Sequence, residues 1–161
     1  MSDILIEEWE PGHPYWQRLL NFATELNQID SLNFRAEWHA SSHILVTFHG
    51  EEIVGFLRFV IQEIGPDADC QPVQWQGETL REAKVLAFGV SAVWRQQGIG
   101  RMLQKALEQR ARAMGCYQIR SHSRGENPAN HQLKLSLGYG IHPIIRGEDR
   151  RGVYFILPLP R

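Results

Sequence analysis

The stretch Val85–Gly115, VLAFGVSAVWRQQGIGRMLQKALEQRARAMG, determines how this chain folds and what it can bind. It begins as an apolar strand, and a short loop joins this strand to an amphipathic helix that starts at Ile99 and ends before Gly115. Gly98 and Gly100 flank the start of the helix. The first N–H groups of a helix have no intrahelical partner, and glycine lets a ligand reach them, so the sequence predicts a site for an anion such as pyrophosphate.

Two familiar nucleotide-binding motifs do not match this loop. The sequence contains no GxxxxGK followed by Ser or Thr, which the phosphate loop of nucleoside-triphosphate enzymes requires. Leu103 stands where the third glycine of a dinucleotide-binding GxGxxG would be, and the helix follows several strands instead of opening the fold. These residues alone leave two alternatives open: a site for a different phosphate-bearing ligand, or a tight helix start that binds no ligand.

The whole chain, residues 1–161, is predicted to form one α+β domain. Turn residues are concentrated between Ile64 and Arg81, where we expect a long loop. Hydrophobic periodicity predicts two further helices, from Tyr15 to Leu26 and from Pro128 to Leu137. The predicted strands are Ile4–Trp9, His43–His49, Ile53–Gln62, Lys84–Val90, Tyr117–Ser121, Ile141–Ile145 and Val153–Leu157.

Composition and charge exclude several classes of function. The chain has 17 basic and 18 acidic residues and a net charge of -1, so no overall field attracts nucleic acid or an anionic membrane. The acidic N-terminus does not resemble a signal peptide, and we expect a cytoplasmic protein. Cys70 and Cys116 lack CxxC partners, and His39 and His43 do not lie in a helical pattern, so no metal site is expected.

Two motifs resemble those of the GNAT acyltransferases. The run Arg95–Gly100 is similar to the family's Q/R-x-x-G-x-G/A motif, and Phe88–Val90 stands at the place of its L-x-V strand. The segment Asn127–Tyr139 resembles a later helix of the family, which begins with Asn and ends with Gly-Phe or Gly-Tyr. The order of the predicted elements is also similar. The resemblance implies a mixed, mostly antiparallel sheet with helices on both faces and an acyl-CoA cleft where the fourth and fifth strands splay apart.

The resemblance also implies a donor, an acceptor and a set of binding residues. The activity would be direct transfer of an acetyl group from acetyl-CoA to a primary amine of a small molecule or peptide. A CoA-binding module without turnover is the alternative, and the choice between monomer and homodimer is left open. The implied contacts are backbone pairing of the pantetheine arm with Phe88 and Val90, pyrophosphate binding by the amides of Gln96, Gly98, Ile99 and Gly100, and contacts from Arg95 and Asn127.

The catalytic residues match the family pattern less well. Lys134 stands where the family often has a tyrosine that protonates the CoA thiolate. It could donate a proton or neutralise charge, or it could be an exposed helix lysine with an ordinary, high pKa. Lys84 replaces the usual strand glutamate, so Glu82, two residues away, is the first candidate for the general base. His122 is the second, because imidazole titrates near neutral pH.

Overall fold

A seven-stranded sheet forms the centre of the protein, with the strand order β1-β2-β3-β6-β7-β9-β8. The structure is a computed structural model that describes residues 3–123, 128–144 and 152–160. Its elements are β1 (Ile4–Trp9), α1 (Trp16–Glu25), α2 (Ile29–Asn33), β2 (His39–His49), β3 (Glu52–Glu63), β4 (Gln74–Trp75), β5 (Glu78–Thr79), β6 (Arg81–Val90), α3 (Ile99–Ala113), β7 (Gln118–Ser123), α4 (Pro128–Ser136), β8 (Gly140–Pro143) and β9 (Val153–Pro158).

Neighbouring strands in this sheet run antiparallel except β6 and β7, which are parallel. Apolar residues cover both faces. Leu103 and Leu107 of α3 lie in one core cluster, and Leu19 and Ala23 of α1 lie in the other. The predicted fold class, an α+β protein with a mostly antiparallel sheet and helices on both faces, is confirmed. No helix in the described residues is long and apolar enough to cross a membrane.

The feature that positions the site is the point where β6 and β7 separate. Their parallel pairing runs from Glu82–Gln118 to Val85–Ser121 and stops there, although β6 continues to Val90. The β3–β6 register shifts between Arg58 and Phe59, so one extra residue of β6 bulges at the same level. Beyond Val85, one edge of β6 is paired with β3, and the other has no strand of the described residues beside it.

The segment predicted as a long loop, Ile64–Arg81, is more ordered than its turn-rich composition indicated. It contains a 3-10 turn at Pro66–Ala68 and the β4–β5 hairpin, and β6 begins at Arg81 instead of Lys84. The sequence also missed α2. A single helical turn carries little periodicity of its own, and α2 is held by burial of Leu32.

Asp67 fastens this segment to the sheet. Its carboxylate accepts hydrogen bonds from Lys84, at 2.8 Å, and from Arg120. Burial alone would raise the pKa of Asp67, but the charges and hydrogen bonds of the two cations outweigh burial and lower it. The ionised carboxylate is therefore the form that stabilises the fold.

Asp67→Asn should lower the free energy of unfolding at neutral pH by on the order of 3 kcal/mol, because two cations lose a largely buried counter-charge. The folded-state pKa of Asp67 lies below 3.8, so this stabilisation is present above that value and lost as the pH falls through the folded pKa. The variant should therefore lose less stability on acidification than the wild type. Urea unfolding at neutral and acidic pH measures both effects. Asp69→Asn, at an exposed neighbouring position, is the matched control and should change neither.

Candidate functional site

A cavity of about 580 Å³ lies where β6 leaves β7. It is bordered by the end of β6, the loop and first turn of α3, the connection between α1 and α2, and one face of α4. The predicted ligand contacts that fall in the described residues all line it, whereas Asn127 lies outside those residues. The lining residues are Leu26, Gln28, Phe88, Gly89, Val90, Trp94, Arg95, Gln96, Gly98, Ile99, Gly100, Arg101, Ala129, Asn130 and Leu133.

The N-terminus of α3 supplies the cavity with backbone N–H groups. Gly98 is the N-cap residue and has a φ of 82°, while Gln96 has a φ of 63°, so both residues are left-handed. Left-handed residues in such a loop turn successive N–H groups toward one point, which forms a concave anion site. No acidic residue occupies the first turn and no side chain caps the helix, so this positive end is open to a ligand.

The two glycines serve different purposes. A Cβ added at Gly98 would meet no atom within 4 Å, so this position faces open space. A Cβ at Gly100 would lie 3.2 Å from Leu133 Cδ2 and 3.3 Å from Phe88 Cζ. From the sequence, both glycines were explained by ligand approach. The structure shows that Gly100 also allows α3 to pack closely against β6 and α4, because a Cβ there would be in tight contact with both.

Positive side chains stand at the mouth of the cavity. Arg95 is exposed and its Nε lies 3.5 Å from the carbonyl oxygen of Val90, while Arg101 donates to Ser136 Oγ at 3.0 Å. Arg95 was predicted from the sequence as a ligand contact, whereas Arg101 was not. Its place directly after Gly100, in the first turn of α3, could have identified it.

Residues of α4 and of the α1–α2 connection also line the cavity. The glycine motif before α3 did not predict them. Ala129, Asn130 and Leu133 reach the cavity because α4 packs beside α3. Leu26 and Gln28 reach it because the end of α1 lies over Gly89. The Gln28 carboxamide donates to the carbonyl oxygen of Phe88 at 2.6 Å and accepts from the Phe88 N–H at 2.8 Å.

Lys134 is a buried residue, with 2% of its surface exposed. Its Nζ donates to Ser121 Oγ at 2.6 Å and lies 5.2 Å from the centre of the Phe155 ring. It forms no ion pair with a carboxylate of the described residues, and burial lowers its pKa from 10.5 to about 8. The alternative of an exposed helix lysine is therefore wrong. Ser121 is the last residue of β7 paired with β6, so the amine lies at the point where the strands separate.

Glu82 lies at the opposite, paired end of β6. It is fully buried, and its carboxylate accepts hydrogen bonds from Gln62, Gln118 and Arg120. Burial alone would lower the pKa of Arg120, but the hydrogen bonds and charges of Glu82 and Asp67 raise it. Glu82 does not line the cavity, and neither do the other two catalytic candidates, Lys134 and His122.

His122 lies one residue beyond the last β6–β7 pair and is exposed. Side chains alternate along a strand, so Ser121 points toward Lys134 while His122 points to the other face. On that face its ring lies 5.6 Å from the Tyr154 ring, which also stacks on Arg120. Lys134 and His122 therefore stand on opposite faces of the sheet at the same fork.

Comparisons with known proteins agree with this architecture. The family described as the acetyltransferase (GNAT) family matches residues 3–139. No curated protein matches the sequence.

Among solved structures, Arabidopsis thaliana NAA60 in complex with acetyl-CoA is similar, with a TM-score of 0.70 and 15% identity over 97% of this chain and 99% of that chain. Arabidopsis thaliana Naa50, in complex with the bisubstrate analogue CoA-Ac-MVNAL, gives a TM-score of 0.68 and 13% identity over 97% and 99% of the two chains. The acetyltransferase of the GNAT family from Streptococcus pneumoniae gives 0.66 and 15% identity over 98% and 100%. At such identities the likeness shows the fold. Together with the match over most of the sequence, it establishes that this chain belongs to the acetyltransferase (GNAT) family.

Proposed function

We propose that this protein transfers an acetyl group from acetyl-CoA directly to a primary amine of a small molecule or peptide. The observation that carries the proposal is the cavity at the β6–β7 fork, because one space joins an open helix N-terminus to a free strand edge. Acetyl-CoA has a pyrophosphate at one end of its pantetheine arm and a thioester at the other. The cavity offers a fitting partner for each part.

The pyrophosphate is proposed to bind the N–H groups of Gln96, Gly98, Ile99 and Gly100. The left-handed φ of Gln96 and Gly98 and the uncapped helix end support this role. Arg95 and Arg101 stand beside the same N–H groups and supply charge for the phosphates. Asn127 remains a proposed contact to the arm from the start of the α4 segment.

The pantetheine arm is proposed to lie along the free edge of β6, beside Phe88 and Val90. Its secondary amides carry the same donor and acceptor groups as a peptide, so the arm can pair with the strand as an added strand would. The acyl end then reaches the fork at Val85 and Ser121, where the sheet has opened. This placement brings the thioester between Lys134 and His122.

Lys134 is proposed as the acid that protonates the departing CoA thiolate. Its pKa of about 8 lies close to the ordinary thiol value of about 8.5, so proton transfer between the two groups is nearly balanced. At neutral pH the amine is mostly protonated and ready to donate. The serine at 2.6 Å fixes the direction of the Nζ group.

His122 is proposed as the base that accepts the proton of the acceptor amine. It lies across the sheet from Lys134, so proton uptake and proton release occur on opposite sides of the thioester. Glu82 was the first sequence candidate and its role as base stays a prediction, but a carboxylate held by Arg120 and two glutamines is better suited to fixing β6 against β7. We therefore favour His122.

The acceptor amine could belong to a peptide or to a small molecule. Among the similar structures, NAA60 is in complex with acetyl-CoA, and Naa50 is in complex with the bisubstrate analogue CoA-Ac-MVNAL, which has a peptide portion. These complexes support an amine acceptor for this chain without choosing between a small molecule and a peptide. A thiol-release assay with acetyl-CoA over a panel of amines and peptide N-termini tests the proposal. Tight CoA binding with no turnover above background would favour the non-catalytic module instead.

Gly98→Asp should abolish acetyl-CoA binding, because it places a negative charge where the pyrophosphate would lie. A Cβ added at this position meets no atom within 4 Å, so the main structural cost is the left-handed φ of 82°. Gly50→Asp is the matched control, since Gly50 has a φ of 60°, equally open surroundings and a position in the β2–β3 turn. Calorimetry and thermal unfolding should show similar small losses of stability in both variants, and loss of binding in Gly98→Asp alone. Normal affinity in a folded Gly98→Asp protein would place the nucleotide elsewhere.

Lys134→Met should reduce the rate of acetyl transfer on the order of 100-fold, the usual scale of general acid catalysis. The same change should stabilise the fold at neutral pH by up to ~3 kcal/mol, because it removes a charge whose burial is unfavourable. The folded pKa lies below the unfolded one, so wild-type stability should rise from about pH 8 to pH 10.5, and this rise should vanish in the variant. Kinetics and urea unfolding measure the two effects. Lys105→Met, at an exposed position of α3, should change neither, and equal behaviour of the two variants would refute the assignment.

His122→Ala and Glu82→Gln separate the two candidate bases. His122→Ala should lower kcat/KM on the order of 100-fold, with little change in stability. Glu82→Gln should destabilise the protein by about 3 kcal/mol, because Arg120 keeps a buried charge and loses its main partner, while kcat/KM of the folded fraction stays the same. A large loss of kcat/KM in folded Glu82→Gln together with a normal value in His122→Ala would reverse the assignment.

A further inference from the structure

Gln28 makes a contact that a family motif does not predict. Its carboxamide forms two hydrogen bonds to one backbone residue: Nε2 donates to the Phe88 carbonyl oxygen at 2.6 Å, and the Phe88 N–H donates to Oε1 at 2.8 Å. The two residues are 60 positions apart in the chain. A single side chain therefore supplies both the donor and the acceptor that a residue of a neighbouring strand would supply.

The groups that Gln28 satisfies belong to the free edge of β6. The N–H and C=O of an extended residue point to the same edge of its strand, and the opposite edge of β6 is paired with β3 as far as Val90. Since the pairing of β6 with β7 ends at Val85, no strand within residues 3–123, 128–144 and 152–160 pairs with Phe88 on the cavity side. A free strand edge within a cavity is a site for an extended ligand that carries amide groups. Gln28 lines the same cavity.

The backbone around Gln28 is fixed independently of this contact. The Gln28 N–H donates to the carbonyl oxygen of Ala23 at 2.8 Å, and the Gln28 carbonyl accepts from the Leu32 N–H at 2.9 Å. Its side chain is only half-buried. Release of the carboxamide from Phe88 therefore requires rotation of the side chain and no movement of α1 or α2.

Gly89 allows the side chain to approach β6 this closely. A Cβ at Gly89 would lie 2.6 Å from Leu26 Cδ1 and 3.2 Å from Gln28 Nε2. The side chains of Leu26 and Gln28 thus rest on the one residue of this segment that has no side chain of its own.

We propose that Gln28 is an internal ligand of the donor cleft, which holds the Phe88 N–H and C=O in the free protein and gives them up to an amide of the pantetheine arm. This inference rests on the proposed acyl-CoA activity. The side chain keeps the strand edge satisfied while the cleft is empty, and it competes with the arm for the same two groups. Because the product CoA carries the same arm as acetyl-CoA, the competition also favours product release.

The first test compares Gln28→Ala with the wild type against two ligands. Acetyl-CoA has the arm, whereas adenosine 3′,5′-bisphosphate has the nucleoside, the 3′-phosphate and one of the two 5′-phosphates without the arm. In calorimetry, Gln28→Ala should bind acetyl-CoA about threefold to tenfold more tightly, the scale of one or two intramolecular hydrogen bonds removed from competition. Its affinity for the bisphosphate should not change. Gln17→Ala, which removes an exposed glutamine of α1 bonded to Asn21, is the matched control and should leave both affinities unchanged.

The second test observes the wild-type side chain and does not depend on the variant's folding. The Gln28 carboxamide signal in a nitrogen-15 NMR spectrum is assigned by selective labelling of Gln residues and by comparison with Gln17→Ala and Gln28→Ala. Acetyl-CoA should shift this signal toward that of a solvent-exposed amide, and the bisphosphate should leave it in place. This inference alone would be overturned if both ligands bind and the Gln28 signal does not move. It would also be overturned if Gln28→Ala binds acetyl-CoA with unchanged or weaker affinity, or gains equal affinity for both ligands. Failure of both ligands to bind the wild type would overturn the proposed function, and this inference with it.

Discussion

The early end of pairing between β6 and β7 is the constraint on which the rest of this molecule depends. Two parallel strands that stay together would leave no space between them. Here the ladder stops at Val85 and Ser121, so the last part of β6 keeps one edge unpaired. The polypeptide then turns from Val90 into α3 and places the start of that helix beside the same edge. A helix N-terminus and a strand edge, both with unused backbone groups, thus line one cavity.

Two buried cationic side chains, Arg120 and Lys134, have pKa values shifted in opposite directions. Lys134 and Arg120 are both largely buried, but Arg120 faces the carboxylates of Glu82 and Asp67, which raise its pKa. Lys134 faces a serine hydroxyl and an aromatic ring, so burial alone acts and its pKa falls to about 8. The first arrangement locks the paired part of the sheet. The second leaves an amine whose proton can be transferred, at the place where pairing ends.

The buried ion pairs that hold β6 to β7 and the open cavity thus lie at opposite ends of the same pair of strands. At the paired end, Glu82 joins β6 to β7 through Arg120 and Gln118, and Asp67 ties the long connection between β3 and β6 to the same place. At the open end, polar backbone groups are left for a ligand, with the Gln28 carboxamide covering two of them, the N–H and C=O of Phe88. Because the ion pairs fix the register of β6 and β7 at one end, the two strands can separate at the other end.

Local sequence patterns were enough to predict the fold class and the open N-terminus of α3 at one end of the cavity. Amphipathic periodicity defines α3, and a glycine just before a helix indicates a left-handed residue, as Gly98 is. The catalytic side was decided only by tertiary structure. Whether Lys134 is buried, whether Glu82 has partners and which side chain reaches Phe88 depend on contacts between segments far apart in the chain. Burial and hydrogen-bond partners set the pKa of a side chain and determine whether it can reach a ligand. The identity of the residue alone determines neither.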